Sequence, residues 1–346
     1  MSETDPKPQT DVNKLGEFGL IDHLTQNFSL TQPSSMCGVG DDAAVIDNQG
    51  FLTVVSTDML VEDIHFDRIY HPLRYLGYKA VIVNLSDICA MNALPRQITV
   101  SIALSNRYGV EDLEELYAGI ELACQHYRVD LVGGDTTSSN RGLIISITAI
   151  GQGEPHRITY RSGAKAGDLI CVTGDLGAAY VGLQLLEREK QVFISTPHVQ
   201  PDFEGQDYII GRQLKPEARL DVVELFHKAN LQPTSMIDIS DGLASEIFHL
   251  CKQSATGAFI EEAKVPIHQQ TELMAIKFGL DPITCALSGG EDYELLFTID
   301  PADLEKARYL PDLYIIGEIT LAQEGIKLHT SGGNIHPLQA QGWKHF

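Results

Sequence analysis

Aspartates recur in this sequence at the ends of apolar or β-branched runs. Asp58 follows TVVST, Asp87 closes VIVNLSD, Asp135 follows LVGG, Asp238 closes SMID, and Asp42 belongs to GVGDDAAVID. Strand ends share one rim of an α/β sheet, so side chains distant in sequence can converge there. Carboxylates that face one cavity repel each other unless a cation lies between them. The set therefore predicts a divalent-cation site.

Hydroxyl groups beside one of these aspartates indicate which cation to expect. Ser56 and Thr57 directly precede Asp58. Mg²⁺ is a hard cation that prefers oxygen ligands in octahedral geometry, and it also bridges phosphate groups. The same residues therefore predict Mg²⁺ together with a phosphate-bearing ligand.

The stretch GVGDDAAVID has the spacing of a phosphate-binding turn without its context. Gly38, Gly40 and Ala43 fit G-x-G-x-x-G/A, a dinucleotide fingerprint that must follow a strand and open a helix. Here polar TQPSSMC precedes it, and AVIDNQGFLTVVSTD after it indicates strand, turn, strand. No Gly-Lys-Ser or Gly-Lys-Thr occurs, so the P-loop signature is absent from the sequence. A carboxylate beside a phosphate is favourable when a divalent ion lies between the two.

Each motif also has a purely structural interpretation. Asp-Gly and Gly-Asp pairs are most often turns, and the glycines of LSGGEDYELLF can turn between strands. Ser240 or Asp241 can be a helix N-cap in DISDGLASEI, His65 an ordinary hydrogen-bonded histidine, and Trp343 a packing residue. The number of acidic motifs taken together favours chemistry.

The composition restricts the class of protein. The 346 residues exceed the ~250 to 300 at which single cores stop growing, which indicates two domains. The formal net charge of -22 argues against binding nucleic acid or an anionic membrane through a basic surface. The cysteines are scattered without a C-x-x-C pair, the start lacks the features of a secretion signal, and no apolar run approaches the ~18 residues of a membrane span. We expect a cytoplasmic protein with reduced cysteines.

Hydrophobic periodicity and turn signals predict an α/β protein. Helices are predicted at 14–28, from Pro72 to about Ala93, at 111–128, from about 176, at 217–229 and at 242–253. Strands are predicted for FLTVVST, ITVSIALS, DLVGGD, LIISITAIGQG, LICVTG, SMIDIS, ITCALS, YELLFTI and YIIGEI. Residues 151–168 lack apolar periodicity and mark a domain boundary. We predict a disordered tail over 1–14, an N-terminal domain over 15–152 and a C-terminal domain over 153–346.

The motifs resemble one family over most of the chain. They are GEFGLIDHL, GVGDDAAVI, VVSTDMLVEDIHF, GYKAVIVNLSDICAMNALPR, VGGDTT, TYRSGAKAGDLICVTGDLG, IDISDGLASEI and ALSGGEDYELLFT. They occur in the order seen in thiamine-monophosphate kinases, from about Gly16 to Phe346. This family belongs to a superfamily with aminoimidazole ribonucleotide synthetase, selenophosphate synthetase and a hydrogenase-maturation ATPase.

The resemblance implies a fold and a reaction. The fold is the two-domain, aminoimidazole-ribonucleotide-synthetase-like α/β (α+β) fold. Its N-terminal sheet pairs with a second subunit in a dimer-spanning barrel, and ATP lies in the cleft to the C-terminal α/β domain. The reaction is direct in-line transfer of the γ-phosphate of ATP to thiamine monophosphate, which gives thiamine diphosphate and ADP. Several Mg²⁺ ions and a homodimer are implied.

The resemblance also assigns residues to the site. The expected Mg²⁺ ligands, some through water, are Asp42, Ser56, Thr57, Asp58, Asp87, Asp135, Asp238 and Asp241. Asp42, Asp58, Asp87 and Asp135 are the expected catalytic residues. ATP is expected at Tyr117, Gly134, Asp135, Arg161 and Ser240, and thiamine monophosphate at His65, Glu291 and Trp343. Some members carry a tryptophan where this chain has Ala340, so Trp343 matches a neighbouring aromatic position.

Other functions remain open at this point. Selenophosphate synthetases use a reactive N-terminal Cys or selenocysteine and the hydrogenase-maturation members end in Cys, whereas this chain has no Cys before Cys37 and ends GWKHF. Aminoimidazole ribonucleotide synthetase remains an alternative. A non-catalytic, metal-dependent nucleotide-binding protein is another, which ATP turnover would distinguish from an enzyme.

Overall fold

The computed structural model describes residues 30–196, 198–308 and 310–339, and before them the single positions Gly19, Ile21 and Thr25. These three positions are helical and fall within the predicted helix 14–28. The rest of that helix, the predicted tail 1–14 and Trp343 lie outside the described residues. Among the described helices, none has both the length and the apolar character needed to cross a membrane.

Between Leu30 and Gly153, the described N-terminal residues form a sheet with two helices. Its strands are β1 (Ser35–Cys37), β2 (Ala44–Asp47), β3 (Leu52–Val61), β4 (Leu94–Leu104), β5 (Asp130–Ser138) and β6 (Leu143–Gly153). The strand order is β1-β2-β3-β6-β4-β5, and only β4 and β5 are parallel neighbours. Helix α1 (Leu73–Ala90) packs on the sheet, and α2 (Val110–Tyr127) packs on α1. Residues on β5 and alternate residues of β3, such as Met59, remain exposed.

The C-terminal half forms a second sheet. Its strands are β7 (Leu169–Thr173), β8 (Ser235–Asp238), β9 (Thr256–Glu261), β10 (Leu295–Ile299), β11 (Leu313–Leu321), β12 (Ile326–His329) and β13 (Ile335–Pro337). The order is β13-β12-β9-β11-β7-β10-β8, with β12 and β9 as the parallel pair. The helices are α3 (Ala178–Ser195), α4 (Asp207–Leu214), α5 (Leu220–Ala229), α6 (Leu243–Ser254), α7 (Gln269–Lys277), α8 (Pro282–Ser288) and α9 (Leu304–Ala307). Short 3-10 turns occupy Glu262–Lys264, Pro301–Asp303 and Ala322–Glu324.

Helix α1 lies between the two sheets. It packs on β3, β4 and β6 of the first sheet and also contacts β8 of the second. A single cluster of buried apolar side chains continues from Val54 and Leu85 to Phe226 and Phe297. The predicted boundary at 152 falls one residue before the end of β6, between the two sheets in sequence, but the sheets share this core and the division into domains stays a prediction.

Most predicted elements are confirmed, and one strand prediction is wrong. The AVID and FLTVVST runs form β2 and β3 joined by a turn, so no helix follows the glycine stretch. ITCALS is not a strand but most of helix α8. A six-residue apolar run fits a strand and a buried helix equally well, and Pro282 at the first helical turn favours the helix.

The expectation that the aspartates end strands is wrong for three of them. Asp58 is inside β3 and Asp135 is inside β5, whereas Asp87 is in α1, the helix that was itself predicted from Pro72, so of this set only Asp238 closes a strand. Both sheets are mostly antiparallel, and such sheets do not collect the carboxyl ends of their strands on one rim. Any convergence of these carboxylates must come from the packing of helix and sheets.

Candidate active site

Three carboxylates from distant parts of the chain meet where α1 touches both sheets. Asp42 lies in the turn before β2, Asp87 in α1 and Asp238 at the end of β8. One oxygen atom of each lies within 4.8 Å of the others. The Asp42 carboxylate is fully buried, and Asp238 is also buried. We refer to Asp42, Asp87 and Asp238 as the carboxylate cluster.

Arg161 holds Asp42 in place. Gly40 shapes the turn before β2 with a φ of +123°, which other residues rarely adopt. Nε and Nη2 of Arg161 donate to the two oxygens of Asp42 at 2.9 and 2.8 Å, a forked ion pair. The backbone N–H of Arg161 also faces Asp41, with N···O distances of 3.3 Å. Arg161, which the motifs assign to ATP, therefore already has a partner inside the site.

Serine hydroxyls fix the other two members of the cluster. Ser56 of β3 donates to Oδ2 of Asp87. Ser86 of α1 donates to Oδ2 of Asp238 at 2.6 Å. Each of these carboxylates thus has one oxygen held by a neighbouring element, which limits its rotation.

Asp58 lies next to the cluster on the same side of β3 as Ser56. Its backbone N–H donates to Oδ1 of Asn84 in α1 at 3.0 Å, which ties the strand to the helix. Its charge is among the causes that raise the pKa of Asp87. The structure therefore brings Asp58 and Ser56 together with the cluster, and their roles as metal ligands stay a prediction.

The hydroxyl of Thr57 points to the opposite face of the sheet. Side chains alternate along a strand, so Thr57 cannot share a face with Ser56 and Asp58. Its hydroxyl donates to the carbonyl oxygen of Ile147 at 3.0 Å and accepts from Thr148 at 3.0 Å. The role of Thr57 as a metal ligand stays a prediction. Because its hydroxyl faces away, Thr57 could bind a metal only through its backbone carbonyl oxygen.

Burial and mutual repulsion disfavour charge on the cluster. Burial, followed by the charges of Asp58, Asp238 and Asp42, raises the pKa of Asp87 well above its ordinary value. Burial and the charge of Asp42 raise the pKa of Asp238 to about 7. Burial and Asp42 likewise raise the pKa of Asp41 to about 7. One arginine does not offset this much negative charge.

The donor set fits a hard divalent cation. Every ligand atom that the cluster offers is a carboxylate oxygen, and the neighbouring groups are hydroxyls. Mg²⁺ and Ca²⁺ prefer such oxygens, whereas softer metals select sulfur or imidazole. A cation between the carboxylates would relieve the repulsion that helps to raise the pKa values of Asp87 and Asp238.

Glu246 is a buried carboxyl beside the cluster that was not predicted from the sequence. The turn between β8 and α6 carries Ser240 and Asp241, and the Asp241 N–H donates to Oε1 of Glu246 at 2.8 Å. Burial, followed by the charge of Asp241, raises the pKa of Glu246 well above its ordinary value. The available signal was the glutamate in LASEIF, the start of the helix that follows DISDG. A glutamate on the apolar side of a helix is rarely buried without a partner.

A separate open pocket brings together three of the residues assigned to ATP. Tyr117 of α2 lines it with Gly134 and Asp135 of β5. A Cβ atom at Gly134 would lie 1.9 Å from the carbonyl oxygen of Val100, so only glycine fits this close strand contact. Oδ1 of Asp135 accepts from the N–H of Thr136 at 2.9 Å. Asp135 lines this pocket and is not one of the three clustered carboxylates.

The residues assigned to thiamine monophosphate lie on two loops. Nδ1 of His65 accepts from the N–H of Val61 at 3.0 Å. Oε2 of Glu291 accepts from Nζ of Lys79 at 2.9 Å and from Nε2 of Gln213 at 2.8 Å. Lys79 and Gln213 were not predicted as site residues, although a lysine within the apolar helix GYKAVIVNL is a visible signal in the sequence. The third assigned residue, Trp343, lies outside the described residues.

Comparisons with known proteins place this site in a family. Residues 40–152 match the family model AIR synthase related protein, N-terminal domain. The chain is 36% identical over 335 residues to the thiamine-monophosphate kinase of Aquifex aeolicus, covering 97% of this chain and 99% of the relative. It is 35% identical over 295 residues to that of Bacillus subtilis, covering 84% and 86%. The chain belongs to the thiamine-monophosphate kinase family.

A solved structure supports the same family at the level of the fold. The structure described as AaThiL complexed with AMPPCP and TMP matches with a TM-score of 0.83 at 33% identity, over 98% of this chain and 99% of that chain. The resemblance seen in the motifs, the mixed α/β fold and the assignment as a kinase are therefore confirmed. The roles of individual residues in the thiamine-monophosphate kinase site, and the dimer-spanning barrel, stay predictions.

Proposed function

We propose that this protein transfers the γ-phosphoryl group of ATP to thiamine monophosphate, which yields thiamine diphosphate and ADP. The observation that carries the proposal is the solved relative complexed with AMPPCP and TMP, whose fold covers 98% of this chain. The site of this chain supports it, because the chain has a carboxylate cluster and a separate open pocket lined by Tyr117, Gly134 and Asp135.

We infer that Mg²⁺ occupies the carboxylate cluster. Asp42, Asp87 and Asp238 would hold it directly, with Asp58 and the hydroxyl of Ser56 beside them. The motifs add Thr57, Asp135 and Asp241 as further ligands, some through water. When bound, Mg²⁺ would neutralise the negative charge of two mutually repelling phosphate chains.

ATP is assigned to the pocket beside β5. The half-buried ring of Tyr117 offers a face for the adenine, and Gly134 lets the backbone approach the nucleotide closely. Arg161 and Ser240 would contact ATP from the other half of the molecule. Arg161 can do so while it still pairs with Asp42, because its guanidinium has more donors than the two that Asp42 uses.

The chemistry needs positioning rather than a strong base. The second pKa of a phosphate monoester is about 6, so the attacking oxygen of thiamine monophosphate is largely anionic near neutral pH. The residues of the chain would bind and align the two phosphates for in-line transfer, which in this reaction class supplies most of the catalysis. His65, Glu291 and Trp343 would hold the acceptor.

We also propose a cytoplasmic homodimer. Every residue of the edge strand β5 is exposed, and it presents Leu131 (45% exposed) and Val132 (58% exposed) to solvent. Edge strands with apolar side chains are typically paired or covered in a functional protein. All six cysteines are free, as expected in a reducing compartment. Light scattering after size exclusion tests the dimer, and a monomer at micromolar concentration would contradict it.

Product analysis tests the reaction. The protein is incubated with ATP, Mg²⁺ and thiamine monophosphate, and chromatography measures thiamine diphosphate and ADP. We expect equal amounts of the two products, none when EDTA is in excess, and no diphosphate from free thiamine. Consumption of ATP without thiamine diphosphate would remove the acceptor assignment and leave another ATP-dependent reaction, such as that of aminoimidazole ribonucleotide synthetase. No turnover at all would favour a nucleotide-binding protein.

A matched pair of variants tests the role of the cluster. Asp87→Asn removes one carboxylate from the cluster, whereas Asp312→Asn changes an exposed aspartate outside it. We expect Asp87→Asn to lower kcat by about 10²-fold or more, as the loss of a charge-stabilising group does in other active sites, and Asp312→Asn to keep wild-type activity. Wild-type turnover by Asp87→Asn at saturating Mg²⁺ would refute the role.

A further inference from the structure

Lys79 is a buried lysine that reaches from one half of the molecule to the other. It lies in α1, and its side chain is 1% exposed. Its Nζ donates to the carbonyl oxygen of Gln213 at 3.0 Å and to Oε2 of Glu291 at 2.9 Å. Both partners belong to the C-terminal half, 134 and 212 positions away in sequence. The ammonium group is therefore too enclosed to touch a ligand itself.

The positive charge of Lys79 is costly to bury, so the presence of a lysine at this buried position needs an explanation. Transfer of an ammonium group out of water costs several kcal/mol, and an apolar side chain of similar volume would serve packing equally well. The flanking residues of α1 are apolar and buried, so they already provide the packing. The exposed end of the pair is Glu291, whose side chain is 31% exposed. The ion pair thus joins a buried ammonium group, on Lys79, to a partly exposed carboxylate, on Glu291.

Both donors reach the same oxygen of Glu291. Nε2 of Gln213 donates to Oε2 at 2.8 Å, beside Nζ of Lys79. Among the described residues, no donor reaches Oε1 of Glu291. The buried Oε1 of Gln213 also has no hydrogen-bond partner within the described chain. Turning that amide around would place its oxygen against the carboxylate, so the carboxylate fixes the orientation of Gln213.

The backbone of Glu291 is also tied to the nucleotide side of the site. Gly290 and Glu291 have φ values of +72° and +58°, in the left-handed region. The N–H of Glu291 donates to the carbonyl oxygen of Ser240 at 2.7 Å. The loop of Glu291 and the turn of Ser240 and Asp241 therefore hold each other in one arrangement.

We propose that Lys79 and Gln213 are positioning residues that aim the free Oε1 of Glu291 at the exocyclic amino group of the substrate's aminopyrimidine. The inference rests on the proposed function, because it takes Glu291 as a contact of thiamine monophosphate. Paired with Lys79, the carboxylate has its charge offset and acts as a hydrogen-bond acceptor rather than as a counter-ion of the thiazolium. The amino group is the substrate's N–H donor, so it is the group that such an acceptor recognises.

Steady-state kinetics of Lys79→Met tests the proposal. Loss of one well-placed hydrogen bond to a charged group corresponds to about 10- to 100-fold in affinity, so we expect the KM for thiamine monophosphate to rise by that factor. The KM for ATP and kcat should stay within about twofold, because the Ser240 contact remains. Lys228→Met, which changes a lysine that is 72% exposed, is the matched control and should behave as wild type.

A double-variant cycle separates positioning from packing. If Lys79 acts through Glu291, Lys79→Met should add nothing to the KM for thiamine monophosphate once Glu291→Gln is present. A purely structural role would lower the thermal midpoint and leave both KM values unchanged. A second substrate, the thiamine monophosphate analogue with oxygen in place of the exocyclic amino group, tests the recognised group. The wild type should discriminate against this analogue, and Lys79→Met should discriminate less, because Oε1 of Glu291 is no longer fixed.

Several outcomes would overturn the inference. These are an unchanged KM for thiamine monophosphate, an equal rise in both KM values, or additive effects in the cycle. If Lys79→Met does not fold, Gln213→Met removes the second donor to Oε2, and the same KM pattern is required of it. If the wild type makes no thiamine diphosphate, the proposed function falls and the inference falls with it. If the wild type is active and the variants keep its KM, only the inference falls.

Discussion

Removal of one charge from the carboxylate cluster is expected to stabilise the metal-free protein. Burial and the charge of Asp42 raise the pKa of Asp238 from 3.8 to about 7. At about 1.4 kcal/mol for each pKa unit, charging this carboxyl in the fold costs roughly 4 kcal/mol. Asp238→Asn removes that charge and keeps an oxygen for the hydroxyl of Ser86. We expect the free energy of unfolding at pH 8 to rise by up to about 4 kcal/mol.

The pH dependence of this gain has a definite sign. The pKa of Asp238 is higher in the folded than in the unfolded chain, so the folded state binds the proton more tightly. The stability that this proton contributes is complete below about pH 4 and is lost as the pH rises through about 7. Asparagine does not titrate, so the difference between variant and wild type should be smaller at pH 5 than at pH 8.

Urea unfolding followed by circular dichroism measures both effects. The experiment is run in excess EDTA at one protein concentration, since dimerisation would make stability depend on concentration. Addition of Mg²⁺ should stabilise the wild type and do little for Asp238→Asn. Asp312→Asn, the exposed control, should follow the wild type throughout. A variant that is less stable than wild type in EDTA at pH 8, or an equal response to Mg²⁺, would refute the repulsion argument.

Three further variants test other contacts. Tyr117→Ala should raise the KM for ATP about tenfold through lost stacking, while Tyr117→Phe keeps the wild-type value; equal KM values would remove Tyr117 from the nucleotide site. Arg161→Met leaves the buried Asp42 unpaired and should lower the free energy of unfolding by about 3 to 5 kcal/mol in urea; a smaller loss would mean that Asp42 is held otherwise. Gly134→Ala places a Cβ atom 1.9 Å from the carbonyl oxygen of Val100 and should lower the thermal midpoint, unlike an alanine at Gly211, where a Cβ atom would meet no atom within 4 Å.

The three clustered carboxylates were among the aspartates singled out from the sequence, but the reason for their convergence was not predicted. Their number and the neighbouring hydroxyls indicated a divalent-cation site. The expected sheet rim was wrong, because Asp87 is on a helix and Asp58 is within a strand that continues to Val61. A strand boundary depends on which partner strand continues alongside, here Ile144 of β6 opposite Val61, and that pairing is not local information.

The partners of the site residues were beyond sequence patterns for a related reason. Side-chain alternation along β3 shows that Thr57 faces away from Ser56, and this could have been read once the strand was assigned. The pairing of Lys79 with Glu291 and of Glu246 with Asp241 depends on tertiary packing and on a turn. A buried charged residue signals that a partner exists but not which residue it is.

Helix α1 explains why the site needs both halves of the chain. Its 18 residues are nearly all buried, so its polar residues do not form a solvent-exposed face of the usual kind. Lys79, Asn84, Ser86 and Asp87 nevertheless fall within an arc of about 160°, at roughly 100° per residue. They hold, in turn, the loop of Glu291, strand β3, the end of β8 and the cluster itself. One rigid helix carries all four residues. The distance between Lys79, which holds Glu291, and Asp87 of the cluster is therefore set by the helix repeat rather than by the connections between the sheets.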